Sequence, residues 1–552
     1  MDDLKGKTIR GGLARFCALG TNFLLRVSSL MVLARLLGPK DFGLMGMVTA
    51  FTGVLGLFRD FGLSSAAVQS TTVTTEQMST LFWINMLLGA LLGAVTLAMA
   101  PAIGAFYQEP QLVPLTAVLA SGFVFNAAGI QHSALLQRQM RFTALAVIGV
   151  SSSIVGIAIA IAGAKATYGY WALVAMTVTS PLVATIGVWV VTGWIPGMPR
   201  RGAGIRSMVH FGGTLTLNGL VAYVAYNAEK VMIGRFWGAD AIGIYGRAYQ
   251  LVHIPTDNLN SAVGDVAFSA LSRLQHDPIR FKNYFLKGFS LVLGLTLPIT
   301  IACALFADDL VFVVLGPKWK DAAVIVRLLA PTIAIFAIIN PLGWLTYSLG
   351  LVARCLKIAL VFAPIMVTGC LIGLPYGPQG VAFAYSTVMT LWVIPHILWC
   401  VHGTVISLRD ILLAVSRPAA SGILAGTLAF EGQLIFGQFV PPLLRLVLES
   451  GVLFIGFFGM LLFVAGQKAL YLDLLQGLRG PLGSQSRHRT PSAYATASPI
   501  VGIGLTGPQN DRGARRGLEP APPQRAQEPN QTVLRPIARD ATADQRVGRT
   551  GV

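Results

Sequence analysis

The chain has 552 residues, of which 54% are hydrophobic and only 12% are charged. Soluble domains carry roughly 25% charged residues, so this composition excludes a soluble globule. The formal net charge is +18, with 41 Lys and Arg against 23 Asp and Glu. Because this excess lies in short connections and a polar tail, it indicates membrane orientation and argues against a nucleic-acid partner.

Apolar windows of about 20 residues predict fourteen membrane-spanning helices. In chain order, they lie at 13–34, 42–63, 80–101, 113–136, 143–163, 168–192, 211–233, 241–271, 285–307, 322–348, 355–374, 379–400, 416–436 and 443–465. We therefore expect an all-α multi-pass membrane protein. Residues 471–552, rich in Pro, Gly, Arg, Ser and Gln, are expected to form a mostly disordered cytoplasmic tail.

The charges in the connections predict the orientation of these spans. Fourteen is even, so both termini lie on one side of the membrane. Connections on that side are richer in Lys and Arg, for example at Arg138, Arg141, Arg200 and Arg201. The positive-inside rule then places both termini in the cytoplasm.

An internal repeat predicts the architecture. Residues 33–47 read LARLLGPKDFGLMGM and residues 233–247 read IGRFWGADAIGIYGR, with an Arg and three Gly recurring at an offset of 200. Six spans separate the copies, so both halves enter the membrane in the same direction. We expect two pseudo-symmetric six-helix lobes, 1–200 and 201–402, around a cleft suited to alternating access, with two extra helices in 403–470.

Ionisable and polar residues at membrane depth indicate the candidate site, because such residues are costly unless they face a wet cavity. Cations outnumber buried carboxylates there, and the planar fork of arginine suits a phosphate, so we expect an anionic substrate. Arg59 can instead be neutralised by Asp60, and Arg247 can lie near the outer interface. The candidate substrate-binding residues are Asn22, Arg26, Arg59, Tyr223, Tyr226, Lys230, Arg247 and Asn258, and the ion-coupling candidates are Glu229 and Asp265.

Four stretches carry a family resemblance. ARLLGPKDFGLMGMV (34–48) and FRDFGLSSAAVQ (58–69) are followed by YGRAYQLVHIP (245–255) and VAFSALSRLQHDPIRFKNYF (266–285). From residue 5 to about 465, the chain resembles the polysaccharide-export, Wzx-type branch of the multidrug/oligosaccharidyl-lipid/polysaccharide exporter (MOP) superfamily.

This resemblance implies a flippase of the bacterial inner membrane that moves undecaprenyl-diphosphate-linked oligosaccharide repeat units to the periplasmic leaflet, for exopolysaccharide or lipopolysaccharide biosynthesis. It further implies that cationic residues of the first, second and eighth helices line the cavity, here Arg26, Arg59 and Arg247. The expected partners are the lipid-linked oligosaccharide and membrane lipids, and polymerase and chain-length proteins are candidate partners.

Other functions stay open at this point. A peptidoglycan lipid II flippase would share the diphosphate head, and a drug/cation antiporter of the same fold would need carboxylates in the first lobe, where Asp60 is near a helix end. A membrane glycosyltransferase or polymerase would need a large acidic loop, but the long connection 192–210 has no carboxylate. We therefore expect no enzyme. The sequence has no P-loop or dinucleotide motif and only His396, Cys400 and His402 near one another, so we expect no cofactor and no metal.

Overall fold

The computed structural model describes residues 20–59, 74–199, 206–436 and 440–468, and all regular structure within these ranges is helical. Side chains at 206–219 and at some positions farther along the chain are not described. Arg15, Asp60 and the tail 471–552 therefore lie outside the described residues, and so do the side chains of Asn258 and Asp265.

Fourteen long helices run through the described ranges, in the order that the apolar windows predict. They are α1 (20–36), α2 (Pro39–Leu57), α3 (Thr75–Tyr107), α4 (Leu112–Arg138), α5 (Phe142–Lys165), α6 (Tyr170–Thr192), α7 and α8 (together Arg206–Leu274, divided at Gly238), α9 (Pro278–Leu305), α10 (Ala322–Ser348), α11 (Val352–Gly373), α12 (Gly377–Val401), α13 (Leu408–Phe436) and α14 (Pro442–Gly459). A π-helical turn, Met460–Val464, extends α14.

Length and composition fit a protein that crosses a membrane many times. Nine helical segments of the described chain are long and apolar enough to span a bilayer, and one of them, Val352–Val401, contains both α11 and α12. Many large apolar side chains on these helices are exposed, among them Leu87 at 72% and Ile455 at 78%. Exposed apolar surface of this extent is what a lipid-facing helix bundle requires.

Several helices begin at residues other than those that the apolar windows predict, because local capping determines where they start. α2 begins at Pro39, three residues early, where the backbone N–H of Gly38 donates to Asp41 Oδ2 at 3.0 Å. α3 begins at Thr75 because the hydroxyl of Thr74 caps it by accepting from the N–H of Gln77 at 3.2 Å. A short helix after α9, Ala307–Val314, was not predicted at all.

Small residues allow close helix packing at three interfaces. On α3, a Cβ added at Gly89 would overlap Ala127 of α4, and on α11 one at Gly373 would overlap the carbonyl oxygen of Gly380 of α12. On α13, a Cβ at Gly422 would lie 3.0 Å from Cδ1 of Ile301 on α9. Larger residues at these positions would push the helices apart.

The two copies of the repeat contact each other directly. A Cβ added at Gly43 would overlap the carbonyl oxygen of Ala239, and one added at Gly243 would overlap that of Pro39. Since 39 and 239, like 43 and 243, are equivalent positions of the repeat, the contact is reciprocal. A two-fold relation between two similar surfaces produces this kind of reciprocity. The division into lobes at 1–200 and 201–402 stays a prediction.

Candidate substrate cavity

Two of the predicted arginines share a chamber. Arg26 on α1 and Arg247 on α8 line one cavity of about 360 Å³, here called the arginine cavity, whose other walls come from α2 and α6. None of its lining residues in the described ranges is acidic. Four helices thus converge on a chamber with two guanidinium groups, and its charge suits an anion.

Arg247 is held by two neighbours. Its guanidinium carbon lies 4.2 Å from the centre of the Phe42 ring, and its Nη1 donates to Oε1 of Gln250. Nε of Arg247 is buried and has no partner in the described part of the chain. Leaving a buried donor unsatisfied costs roughly 1–3 kcal/mol, so an anion that accepts from Nε would recover that energy.

Arg26 is the more accessible of the pair. It is exposed on α1 and forms no ion pair with any carboxylate in the described ranges, and the same is true of Arg247. Asn22, one turn earlier on α1, is exposed and is not among the residues that line the arginine cavity. Both guanidinium groups are therefore available to a ligand.

A row of cavities connects the arginine cavity to Arg59. Thr49 and Thr177, which line the arginine cavity, also line a second cavity of about 220 Å³. Arg59 and Asn126 line this second cavity and a third of about 260 Å³, and Nη1 of Arg59 donates to Oδ1 of Asn126 at 3.3 Å. The three cavities are therefore neighbours along α2, α4 and α6 and share lining residues.

The charged residues of α7 lie elsewhere. Lys230 is not among the lining residues of the arginine cavity; its Nζ donates to Oδ1 of Asn227 at 2.7 Å and lies 4.2 Å from the centre of the Tyr249 ring. Glu229 is 1% exposed, and neither of its carboxylate oxygens has a partner among the described residues. Neither Lys230 nor Glu229 therefore lines the arginine cavity.

The two predicted tyrosines of α7 serve different neighbours. The hydroxyl of Tyr223 donates to the carbonyl oxygen of Thr49 at 3.3 Å and so joins α7 to α2. The ring of Tyr226 packs against those of Phe336 and Phe362, with centroids 5.7 and 5.5 Å away, and lines a separate cavity. The predicted substrate-binding residues thus fall into two groups.

Some lining residues were not predicted. Asn126 sits within the apolar span 113–136, and its amide at that depth was a usable signal. Phe42 and Thr177 gave no such signal, because an aromatic or a hydroxyl residue in a membrane helix is common. They join the arginine cavity only through the packing of α2 and α6.

The chain matches known proteins over most of its helical part. A family model described as "Polysaccharide biosynthesis protein" matches residues 32–324. The lipopolysaccharide biosynthesis protein WzxC of Escherichia coli (strain K12) is 25% identical over 400 residues, covering 70% of this chain and 80% of WzxC. The teichuronic acid biosynthesis protein TuaB of Bacillus subtilis (strain 168) is 30% identical over 343 residues, covering 57% of this chain and 70% of TuaB. These matches confirm the resemblance read from the sequence.

Solved structures share the fold. The lipid II flippase MurJ in an inward closed conformation superposes with a TM-score of 0.65 at 14% identity, covering 85% of this chain and all (100%) of MurJ. An inward-facing multidrug resistance MATE family transporter of the MOP superfamily gives a TM-score of 0.57 at 15% identity, covering 68% of this chain and 93% of that one. The predicted all-α multi-pass fold is confirmed.

Proposed function

The chain belongs to the polysaccharide biosynthesis protein family, and we propose that it is a flippase for diphosphate-linked oligosaccharide repeat units used in exopolysaccharide or lipopolysaccharide biosynthesis. The arginine cavity is the observation that carries this proposal. Arg26 and Arg247 bring two planar forks to one chamber without an acidic lining residue in the described ranges. Such forks bind phosphate oxygens in pairs, which a lone ammonium cannot do. Undecaprenyl diphosphate offers a lipid anion of this kind.

The row of cavities suggests the route of the headgroup. A hydrated anionic head cannot cross about 30 Å of hydrocarbon unaided, whereas its lipid tail can stay in the bilayer. Arg59 and Asn126 would receive the head first, and Arg26 and Arg247 would hold it deeper. The reciprocal glycine contact would close the far side of the chamber, and rocking of the lobes 1–200 and 201–402 would open it.

The orientation follows from the positive-inside rule. In our proposal the protein lies in the bacterial inner membrane with both termini in the cytoplasm, so that the turns at Gly38 and Gly238 face the periplasm. Flipping then delivers the repeat unit to the periplasmic leaflet. Polymerase and chain-length proteins on that side remain candidate partners.

In our proposal, two sources of energy are candidates for driving the flipping step. Moving an anion outward across an inside-negative membrane is downhill by roughly 2.3 kcal/mol per charge per 100 mV. Glu229, buried without a partner in the described ranges, is our first candidate for coupling to a proton or sodium ion, and Asp265 is the second. Glu229→Gln should abolish the dependence of flipping on an ion gradient; if the dependence is unchanged, Glu229 does not couple.

The arginines provide the direct test of the proposed function. In a deletion strain complemented with variants, Arg26→Ala and Arg247→Ala should each lower polymer export by roughly tenfold or more, since each removes one of the two phosphate ligands. Polymer export in Arg247→Lys should fall between that of the wild type and that of Arg247→Ala, because lysine keeps the charge but lacks the planar guanidinium group. Arg280→Ala is the control, since that side chain is 78% exposed and paired with Asp277 on the surface.

The intermediates that accumulate discriminate among the functions. A flippase defect leaves complete lipid-linked repeat units on the cytoplasmic face. Loss of repeat-unit synthesis would instead favour a glycosyltransferase, and a cell-wall defect would favour lipid II as the cargo. Normal export in both alanine variants would refute the role of the arginine cavity.

A further inference from the structure

A further cavity, lined on one side by α7, has a different chemistry. It measures about 290 Å³ and is formed by α7, α10, α11 and α12. Within the described ranges, none of its lining residues is Asp, Glu, Lys or Arg. We call it the aromatic cavity, because five rings line it, those of Tyr226, Trp344, Tyr347, Phe362 and Trp392.

Polar groups stand among these rings. Asn340 on α10 and His396 on α12 also line the aromatic cavity, whereas the buried hydroxyl of Thr346 donates to the carbonyl oxygen of Leu342 in its own helix, at 3.0 Å. An amide and an imidazole among flat aromatic faces match a ligand that has both C–H faces and hydroxyl groups. A phosphate would find no cation here. An isoprenoid chain would remove water from Asn340 and His396 without replacing it, which is costly.

The aromatic cavity has an exposed residue in its wall, and hydrogen bonds hold two of its helices together. Tyr347 in its wall is 45% exposed. Beside Gly343 there is open space, because a Cβ added there would meet only the Tyr347 ring, at 3.9 Å. Nη1 of Arg354 on α11 donates to the carbonyl oxygens of Cys400 and His402, at 3.3 and 2.7 Å, and so ties α11 to the end of α12.

α7 lines the aromatic cavity and contacts the wall of the arginine cavity. Tyr223 reaches the carbonyl oxygen of Thr49, a lining residue of the arginine cavity, whereas Tyr226 lines the aromatic cavity. These tyrosines are three residues apart, a rise of about 4.5 Å along a helix. Residues three apart share one face of a helix, so the walls of the two cavities are in contact through this face of α7.

We propose that the aromatic cavity is a saccharide subsite, which takes one or two neutral sugar rings of the lipid-linked oligosaccharide while the arginine cavity takes the diphosphate. The volume of about 290 Å³ is at the small end of pockets for small molecules and suits a fragment of that size. This inference rests on the proposed function and adds which residues recognise the sugars.

The test measures binding of two separate probes to the full chain in lipid nanodiscs. One probe is the repeat-unit oligosaccharide released from its lipid by mild acid, and the other is geranylgeranyl diphosphate, which has the charge and a lipid chain but no sugar. Gly343→Leu fills the aromatic cavity, and Trp392→Leu removes a ring while keeping apolar volume. Gly451→Leu on α14 is the matched control, since an added Cβ there meets no atom within 4 Å and the residue lies outside the aromatic cavity.

Gly343→Leu and Trp392→Leu should each weaken oligosaccharide binding by roughly tenfold or more and leave geranylgeranyl diphosphate binding unchanged. Arg247→Ala should weaken geranylgeranyl diphosphate binding and leave oligosaccharide binding unchanged. Gly451→Leu should change neither affinity. Unchanged oligosaccharide affinity in both cavity variants, or no oligosaccharide binding by the wild type, overturns the saccharide subsite. Loss of geranylgeranyl diphosphate binding in Gly343→Leu would show that the cavity takes the lipid chain, and this also overturns it. If Arg247→Ala binds geranylgeranyl diphosphate as tightly as the wild type does, the proposed function is refuted instead.

Discussion

The two copies of the repeat have the same glycines at their turns but different backbones. Gly38 has φ −95° and ψ 169°, an extended conformation that any residue can adopt. Gly238 has φ 81° and ψ −173°, a conformation that is essentially restricted to glycine. The same residue in the same repeat position is therefore replaceable in the first copy and required in the second.

Neighbouring residues explain this difference. In the first copy, Pro39 starts α2 and Asp41 accepts the N–H of Gly38, so α2 begins as a capped helix. The second copy has Ala239 and Ala241 at these positions, without a proline or a capping side chain. The chain there is helical on both sides of Gly238, and the turn is made by that single residue.

The equivalent arginines also have different partners. Nη2 of Arg35 donates to the carbonyl oxygen of Val313 in the short helix Ala307–Val314, at 2.7 Å. The guanidinium carbon of Arg235 lies 5.8 Å from the centre of the Phe106 ring at the end of α3. What the copies keep in common is the close backbone contact between them, while their outer contacts have diverged.

The shared glycine contact should be the most sensitive feature. Gly43→Ala and Gly243→Ala each place a Cβ on a backbone carbonyl oxygen of the other copy, which cannot swing away as a side chain would. We expect a loss of stability of about 1–3 kcal/mol and a matching loss of export, since overpacking forces the backbone apart. Gly246→Ala is the control, because its Cβ meets no atom within 4 Å. Thermal unfolding of the purified variants measures the effect, and equal melting temperatures for the three would contradict the reciprocal contact.

The turn glycines should differ from each other. Gly238→Ala should lower the free energy of unfolding by roughly 1–3 kcal/mol, because alanine is strained at that φ and ψ. Gly38→Ala should change it by less than about 0.5 kcal/mol, since its extended backbone accepts a side chain. The two melting temperatures, measured side by side, decide the matter. If Gly38→Ala and Gly238→Ala lose the same free energy of unfolding, the two turns do not differ as described.

The smallest difference in stability is expected between variants at the equivalent arginines, Arg35 and Arg235. Arg35→Ala removes a hydrogen bond to Val313 and should cost about 1 kcal/mol. Arg235→Ala removes a partly exposed cation–π contact and should cost about 0.5 kcal/mol. Chemical unfolding in detergent can compare the two variants. A larger loss at Arg235 would show that its ring contact matters more than the Arg35 hydrogen bond.

Much of the fold was predictable because the membrane imposes simple rules. Helices must satisfy their own backbone groups in hydrocarbon, so apolar windows located all fourteen long helices. The short helix Ala307–Val314 was missed because eight residues are too few to form a window. The candidate site was predictable in part, because Arg26 and Arg247 stand out as charges at depth, whereas Thr177 and Asn340 become neighbours of a cavity only through packing.

The amino-acid sequence alone determined that this is a helical membrane protein, that it contains a duplicated turn, and which family it resembles. Hydropathy, local charge and repeated motifs are properties of the chain that need no tertiary contact. The packing of the helices, by contrast, brings Arg26 and Arg247 to one cavity that Lys230 does not line, and it places Tyr226 in a group of rings from α10, α11 and α12. Residues on a helix can share a stripe and still face different neighbours, because the packing of other helices determines where each side chain lies.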